Sequence, residues 1–137
     1  MQGYNCIMIY NKEKNRLLFC KRKNNPYKGL YNFVGGKIEE NEDGFRAAYR
    51  ELREETGITQ SDIILSHMMD FNYYNQNCYV EVYVGCLNRN VVLMEEKHPL
   101  EWLSLEENFF DCTKFAGEGN IGHMVEQVKI YGRGKNL

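Results

Sequence analysis

The chain has 137 residues, a formal net charge of −2, 43% apolar residues and 26% charged ones. That is the size of one domain with material for a single core. The balance gives no basic field of the kind that holds a nucleic-acid polymer. No run approaches the ~18 apolar residues of a membrane span, and Met1-Gln2-Gly3-Tyr4 leads straight into a strand-like run with no secretory signal. The expectation is a single cytoplasmic domain over 1–137, a monomer or homodimer, with no membrane and no nucleic-acid polymer among its partners.

In chain order, residues 4–10 and 16–21 are apolar, β-favouring runs joined by the polar Asn11-Lys12-Glu13-Lys14-Asn15, which predicts a hairpin. The basic stretch 21–28 contains Asn24-Asn25-Pro26 and reads as a loop. A short strand over 31–34 runs into Gly35-Gly36. A helix is expected from Asp43 to about Thr56, because the stretch lacks proline and is rich in Glu, Arg, Ala and Leu. Long strands follow at 63–74 and 78–87, with a turn at Asn75-Gln76-Asn77, and then a short strand at 91–94. A charged loop precedes Leu100-Glu101-Trp102-Leu103. Ile121, Met124, Val125 and Val128 recur at helical spacing and predict a last helix over about 120–131, followed by a frayed tail at 132–137. Strands on both sides of a helix, closed by another helix, predict an α/β domain with a mixed sheet covered on two faces. The five scattered cysteines, without a Cys-x-x-Cys pair, read as free thiols.

The helix at 43–56 carries two patterns. Phe45, Ala48, Tyr49 and Leu52 form one core-facing stripe. Glu51, Glu54 and Glu55, at i, i+3 and i+4, converge on a second face. Asn41, Glu42 and Asp43 place a capping group and acidic charge at the N-terminus, and Gly57 suits a left-handed end. Carboxylates crowded on one face repel unless a cation sits among them. Hard oxygen ligands with room for water suit Mg²⁺ (or Mn²⁺), which also binds substrate phosphates. Arg50 is placed to orient one of the carboxylates through a two-pronged bond. A solvated acidic face is the plainer reading, but the fixed spacing Gly36, Glu42, Arg50, Glu51, Leu52, Glu54, Glu55, Gly57, Ile58 argues against it. A chance match at a given start is on the order of one in a billion.

This string, from 36 to 58, resembles the Nudix box of the Nudix (MutT-like) hydrolase superfamily, with every defining position filled. The resemblance implies a Nudix α/β/α sandwich and Mg²⁺- or Mn²⁺-dependent cleavage of a diphosphate linked to another group. It implies that Glu51, Glu54 and Glu55 hold metal with the Gly36 carbonyl, supported by Arg50 and Glu42. Val34 and Asn41 stand where many members have proline and glycine.

Outside the box the resemblance suggests further residues. Glu96, adjacent to Glu95 in the loop before Trp102, matches a loop glutamate that serves as metal ligand or base. Trp102 itself reads as packing. Lys21 or Arg22, at the end of the second strand, would meet phosphates, with alternation leaving open which one faces the cleft. Asn32, Phe33 and Asn120 match positions that line a purine pocket, where an amide both donates and accepts. Asn120 equally suits a plain helix cap. The function expected is hydrolysis of a small nucleotide: a nucleoside triphosphate, and within that class an oxidised purine such as 8-oxo-dGTP, cut to the monophosphate and pyrophosphate. The alternatives are an ADP-ribose, sugar-nucleotide or dinucleoside polyphosphate pyrophosphatase, or a non-catalytic nucleotide sensor.

Overall fold

Alternation in the first strand sets the layering. β1 (Gln2–Tyr10) turns Ile7 and Ile9 to one face of the sheet and Met8 and Tyr10 to the other, and all four are buried. The computed structural model describes residues 1–132. Its further elements are β2 (Arg16–Lys21), β3 (Tyr31–Asn32), α1 (Gly44–Thr56), β4 (Ser66–Tyr73), β5 (Cys78–Cys86), β6 (Leu100–Ser104) and α2 (Asn120–Tyr131). The sheet has six strands in the order β3-β2-β1-β5-β4, with β6 paired to β2. β1 and β5 run parallel from Gln2↔Cys78 to Tyr10↔Cys86, and the other pairs are antiparallel. The expected mixed sheet is therefore present.

One core cluster joins Ile7, Ile9 and Leu18 to Ala48 and Leu52 of α1. The other joins Met8, Phe19 and Phe33 to Ile121, Met124, Val125 and Val128 of α2. Helices thus cover opposite faces, and each fully buried aliphatic side chain contributes about 1.5–3 kcal/mol. The second cluster is aromatic at its centre: Phe19 stacks on Phe33 at 4.7 Å and meets Phe115 at 5.3 Å.

Several expected elements are shorter or differently placed. Between β1 and β2 the strand register holds only at Tyr10↔Leu17, because β2 leaves β1 for β6. The strand expected at 63–74 begins at Ser66, with Ile63 held by a single bridge to Leu87. Residues 91–94 form no strand. They cross the end of α1, where the Met94 N–H donates to the Thr56 carbonyl at 2.9 Å, while Val91 and Leu93 pack inward and Val92 is 92% exposed. The β-favouring composition there has no sheet edge to join. Phe45 is not in the core stripe: it is 44% exposed, its ring edge-on to Tyr83, and Ala47 is buried instead. The tail expected at 132–137 lies, after Gly132, outside the described residues.

Candidate active site

The ends of α1 follow from its flanking residues. The Asp43 carboxylate accepts from the Arg46 N–H at 2.9 Å as N-cap, and Gly57 closes the helix at φ 80°. Asn41 sits at φ 66°, a conformation asparagine tolerates, so it does the work of a glycine there. Glu42 does not serve the helix end. It receives Arg50 Nε at 2.7 Å and Nη2 at 2.9 Å, and this pairing holds its carboxyl below the usual range. Arg50 also donates to Glu51 at 3.1 Å, to Glu54 at 3.4 Å and to the Lys37 carbonyl at 3.0 Å. One guanidinium therefore ties the loop before α1 to two of its three carboxylates.

Those carboxylates occupy different surroundings. Glu51 and Glu55 are buried beside Leu52, on the flank that packs against the sheet, and Glu54 is half-buried. Burial first, then the charge of Glu51, pushes the Glu55 carboxyl up to about 7, against the lowering pull of the Gly35 backbone and Lys97. A β-carbon on Gly36 would lie 2.5 Å from the Glu51 carboxylate, so the bare backbone and the carboxylate form a cradle that only glycine leaves open. The Gly36 carbonyl spends one lone pair on the Asn5 N–H at 2.8 Å. The Asn5 Nδ2 amide is buried without a partner among the described residues. Carboxylates and a backbone carbonyl are a fitting set of oxygen ligands for a hard divalent ion.

A cavity of about 570 Å³ opens from this cradle, a size usual for small-molecule sites. Glu55, Gly35, Gly36, Arg22 and His98 line one part of it, and Asn32, Phe33, Tyr73 and Asn120 also contribute to its wall. Of the two cationic candidates, Arg22 is in the wall, its Nε held by the Pro26 carbonyl at 2.7 Å. Lys21 is elsewhere, its Nζ over the Tyr31 ring. Asn32 accepts from the Phe33 N–H, and Phe33 is buried against Phe19. Asn120 is not a cap, since that position is Gly119 with no side-chain bond. Its Nδ2 donates to the Tyr73 hydroxyl at 2.9 Å, which leaves the amide oxygen as acceptor. Glu95 is spent on the Leu100 N–H at 2.6 Å, while Glu96 is exposed and outside the cavity wall. Trp102 packs against the core.

Residues that sequence reasoning missed stand beside these. Asn5 had a visible signal: an amide where alternation with Ile7 and Ile9 calls for an apolar side chain. Tyr27 and Glu118 line the cavity and are joined by a 2.7 Å hydrogen bond, although 91 residues apart. Both lie at positive φ, 67° and 51°, in loops with no periodic pattern. His98 lines the cavity too, its pKa lowered by burial and by Arg22, Lys23 and Lys97. Among the described residues one further grouping could take a cation, His67, Asp70 and Glu81 on β4 and β5, but none of the three lines the cavity.

A family model described as the NUDIX domain matches residues 2–125. The chain belongs to the NUDIX family. The NUDIX fold is confirmed by a solved structure of a C. elegans Ap4A hydrolase, with a TM-score of 0.77 at 19% identity, covering 98% of this chain and 99% of that one. An ADP-ribose pyrophosphatase of Methanocaldococcus jannaschii is 45% identical over 47 residues, 34% of this chain and 28% of that protein. An RNA pyrophosphohydrolase of Hydrogenovibrio crunogenus is 37% identical over 70 residues, 50% of this chain and 40% of that protein. This NUDIX chain thus matches less than half the length of either curated relative. Among the described residues, no helix is long and apolar enough to cross a membrane.

Proposed function

We propose that this NUDIX domain is a Mg²⁺- or Mn²⁺-dependent pyrophosphohydrolase of small nucleotides, with a nucleoside triphosphate as its substrate. The observation that carries the reading is the opening of the Glu55 and Gly35–Gly36 cradle into a nucleotide-sized cavity with Arg22 in its wall. Glu51, Glu54, Glu55 and a carbonyl of the glycine pair would hold the ion. When bound, the ion neutralises phosphate oxygens and makes water a better nucleophile. Arg50 and Glu42 orient the carboxylates, and Arg22 meets the phosphates. A carboxylate of the box, or Glu96, takes the proton of the water that attacks phosphorus. The products are a nucleoside monophosphate and pyrophosphate.

Phe33 and the Asn120 and Asn32 amides support a purine base, and an oxidised purine such as 8-oxo-dGTP is the preferred candidate. The identity shared with an ADP-ribose pyrophosphatase supports a second reading, with ADP-ribose as substrate. A purely sensing role is disfavoured because every box glutamate is retained.

The test is product analysis. Purified protein with Mg²⁺ should release pyrophosphate from at least one nucleoside triphosphate, and Glu54→Gln or Glu55→Gln should abolish most turnover in a folded protein. AMP and ribose phosphate from ADP-ribose alone would favour the second reading. Binding without turnover across a broad nucleotide panel would leave a sensor.

A further inference from the structure

β1 runs antiparallel to the loop that carries the glycine pair, with Ile7 opposite Val34 and Tyr4 opposite Lys37. In that register Asn5 stands opposite Gly36. A regular pair exchanges two backbone bonds. Here the Asn5 N–H donates to the Gly36 carbonyl at 2.8 Å, but the Gly36 N–H turns to the Asn5 side chain, meeting Oδ1 at 3.0 Å. The side-chain amide has replaced its own main-chain carbonyl in the ladder, and Gly36 is gripped from both directions.

That grip decides where the other end of the amide lies. A backbone N–H meets only an acceptor, so the oxygen is fixed at Gly36 and the Nδ2 group is left over. Asn5 is 5% exposed and Nδ2 has no partner among the described residues. A buried donor without an acceptor is costly, and native structures keep few of them. By alternation Asn5 shares the α1 face of the sheet with Ile7 and Ile9, the side on which Gly36 abuts the Glu51 carboxylate. Glu51 has Arg50 as its hydrogen-bond partner, at the long distance of 3.1 Å.

We propose that Asn5 is a positioning residue of the metal cradle: it fixes the Gly36 peptide and, through Nδ2, takes a carboxylate oxygen of Glu51 when a divalent ion is bound. This rests on the metal-dependent reading above. The role proposed for Asn5 acts through Gly36 and Glu51. The buried, unpartnered Nδ2 is the group that would make this bond.

Two variants separate this from a merely structural role. Asn5→Leu is close in size and removes both halves of the amide. Asn5→Asp keeps an oxygen for the Gly36 N–H and replaces the donor by a charged acceptor. The probe is Mn²⁺ alone, titrated by the electron paramagnetic resonance of the free ion, beside the metal-free melting temperature and the steady-state constants. Expected for Asn5→Leu is roughly tenfold or greater weakening of Mn²⁺ binding, with metal-free melting within a few degrees of wild type. Expected for Asn5→Asp is a roughly tenfold fall in kcat at saturating Mn²⁺ with KM little changed. A folded Asn5→Leu protein with wild-type Mn²⁺ affinity overturns the proposal. If that variant does not fold, wild-type kcat in Asn5→Asp overturns it. A wild-type protein that takes up no Mn²⁺ removes the metal reading as well, whereas normal uptake by all three proteins removes Asn5 alone.

Discussion

Arg50 holds Glu42 by two parallel N–H···O bonds, at 2.7 and 2.9 Å, and so anchors the loop before α1 to the helix face that carries the carboxylates. A planar fork makes both bonds at once, and an ammonium cannot. If these carboxylates hold the ion as proposed, Arg50→Lys should lower kcat/KM for pyrophosphate release about 10–100-fold, the usual cost of losing a partner behind metal ligands. Glu42→Gln, which keeps one acceptor, should lose less. Steady-state kinetics with circular dichroism checks this, and full activity in Arg50→Lys would show that the fork is not needed.

The two glycines before the box should fail in different ways. A β-carbon on Gly36 meets the end of the Glu51 side chain, which can swing aside, so Gly36→Ala should fold and lose at least about tenfold in turnover. A β-carbon on Gly35 would lie 2.1 Å from the Asn5 backbone oxygen, which cannot move without breaking the sheet. Gly35→Ala should melt far lower or not fold. Melting curves set beside kcat distinguish the two.

Glu55 predicts a dependence on pH in metal-free buffer. Its carboxyl, raised from an ordinary 4.5 to about 7, keeps its proton longer in the folded chain than in the unfolded one. This favours the fold below the unfolded value, and the advantage is lost as pH rises from about 4.5 through about 7. Glu55→Gln should melt higher than wild type at pH 8, by about 5 °C, and equally at pH 4. Added Mn²⁺ should stabilise wild type and do little for the variant. A gap that does not change with pH would mean that Glu55 is not held neutral.

The Asn120 amide is held by the Tyr73 hydroxyl, to which its Nδ2 donates. If that amide reads a base edge, Asn120→Ala should change the ratio of kcat/KM between oxidised and normal purine triphosphates by about tenfold or more. Tyr73→Phe, which frees the amide to turn, should change the ratio in the same direction by less. Equal ratios in both variants would take Asn120 out of recognition.

The box and its helix were legible because local rules coincide there: Asp43 caps, Gly57 terminates, and the glutamates fall at helical spacing. Ala48 and Leu52 are buried as their period requires, but Phe45 is not. It lies a turn nearer the helix start, where it stands edge-on to the Tyr83 and His67 rings and stays 44% exposed. Residues 91–94 have strand composition without a strand, because pairing depends on a free edge and the sequence does not describe edges. Arg22 and Lys21 were equivalent by alternation, and only the turn held by the Pro26 carbonyl separates them. Tyr27 and Glu118 carried no signal, since their meeting depends on two loops brought together by the whole sheet.

β1 is one strand thick between two kinds of work. Asn5 holds the Gly36 peptide, while its neighbour Cys6 packs against the cluster that includes Phe33 and Met124. On the proposed reading, the residues for bond-breaking and for recognition are thus a single peptide apart. A larger side chain at Cys6, chosen to reshape the pocket for another nucleotide, would press on the backbone that aligns Gly36, so changes of substrate in this chain should carry a cost in turnover unless β1 is re-seated with them.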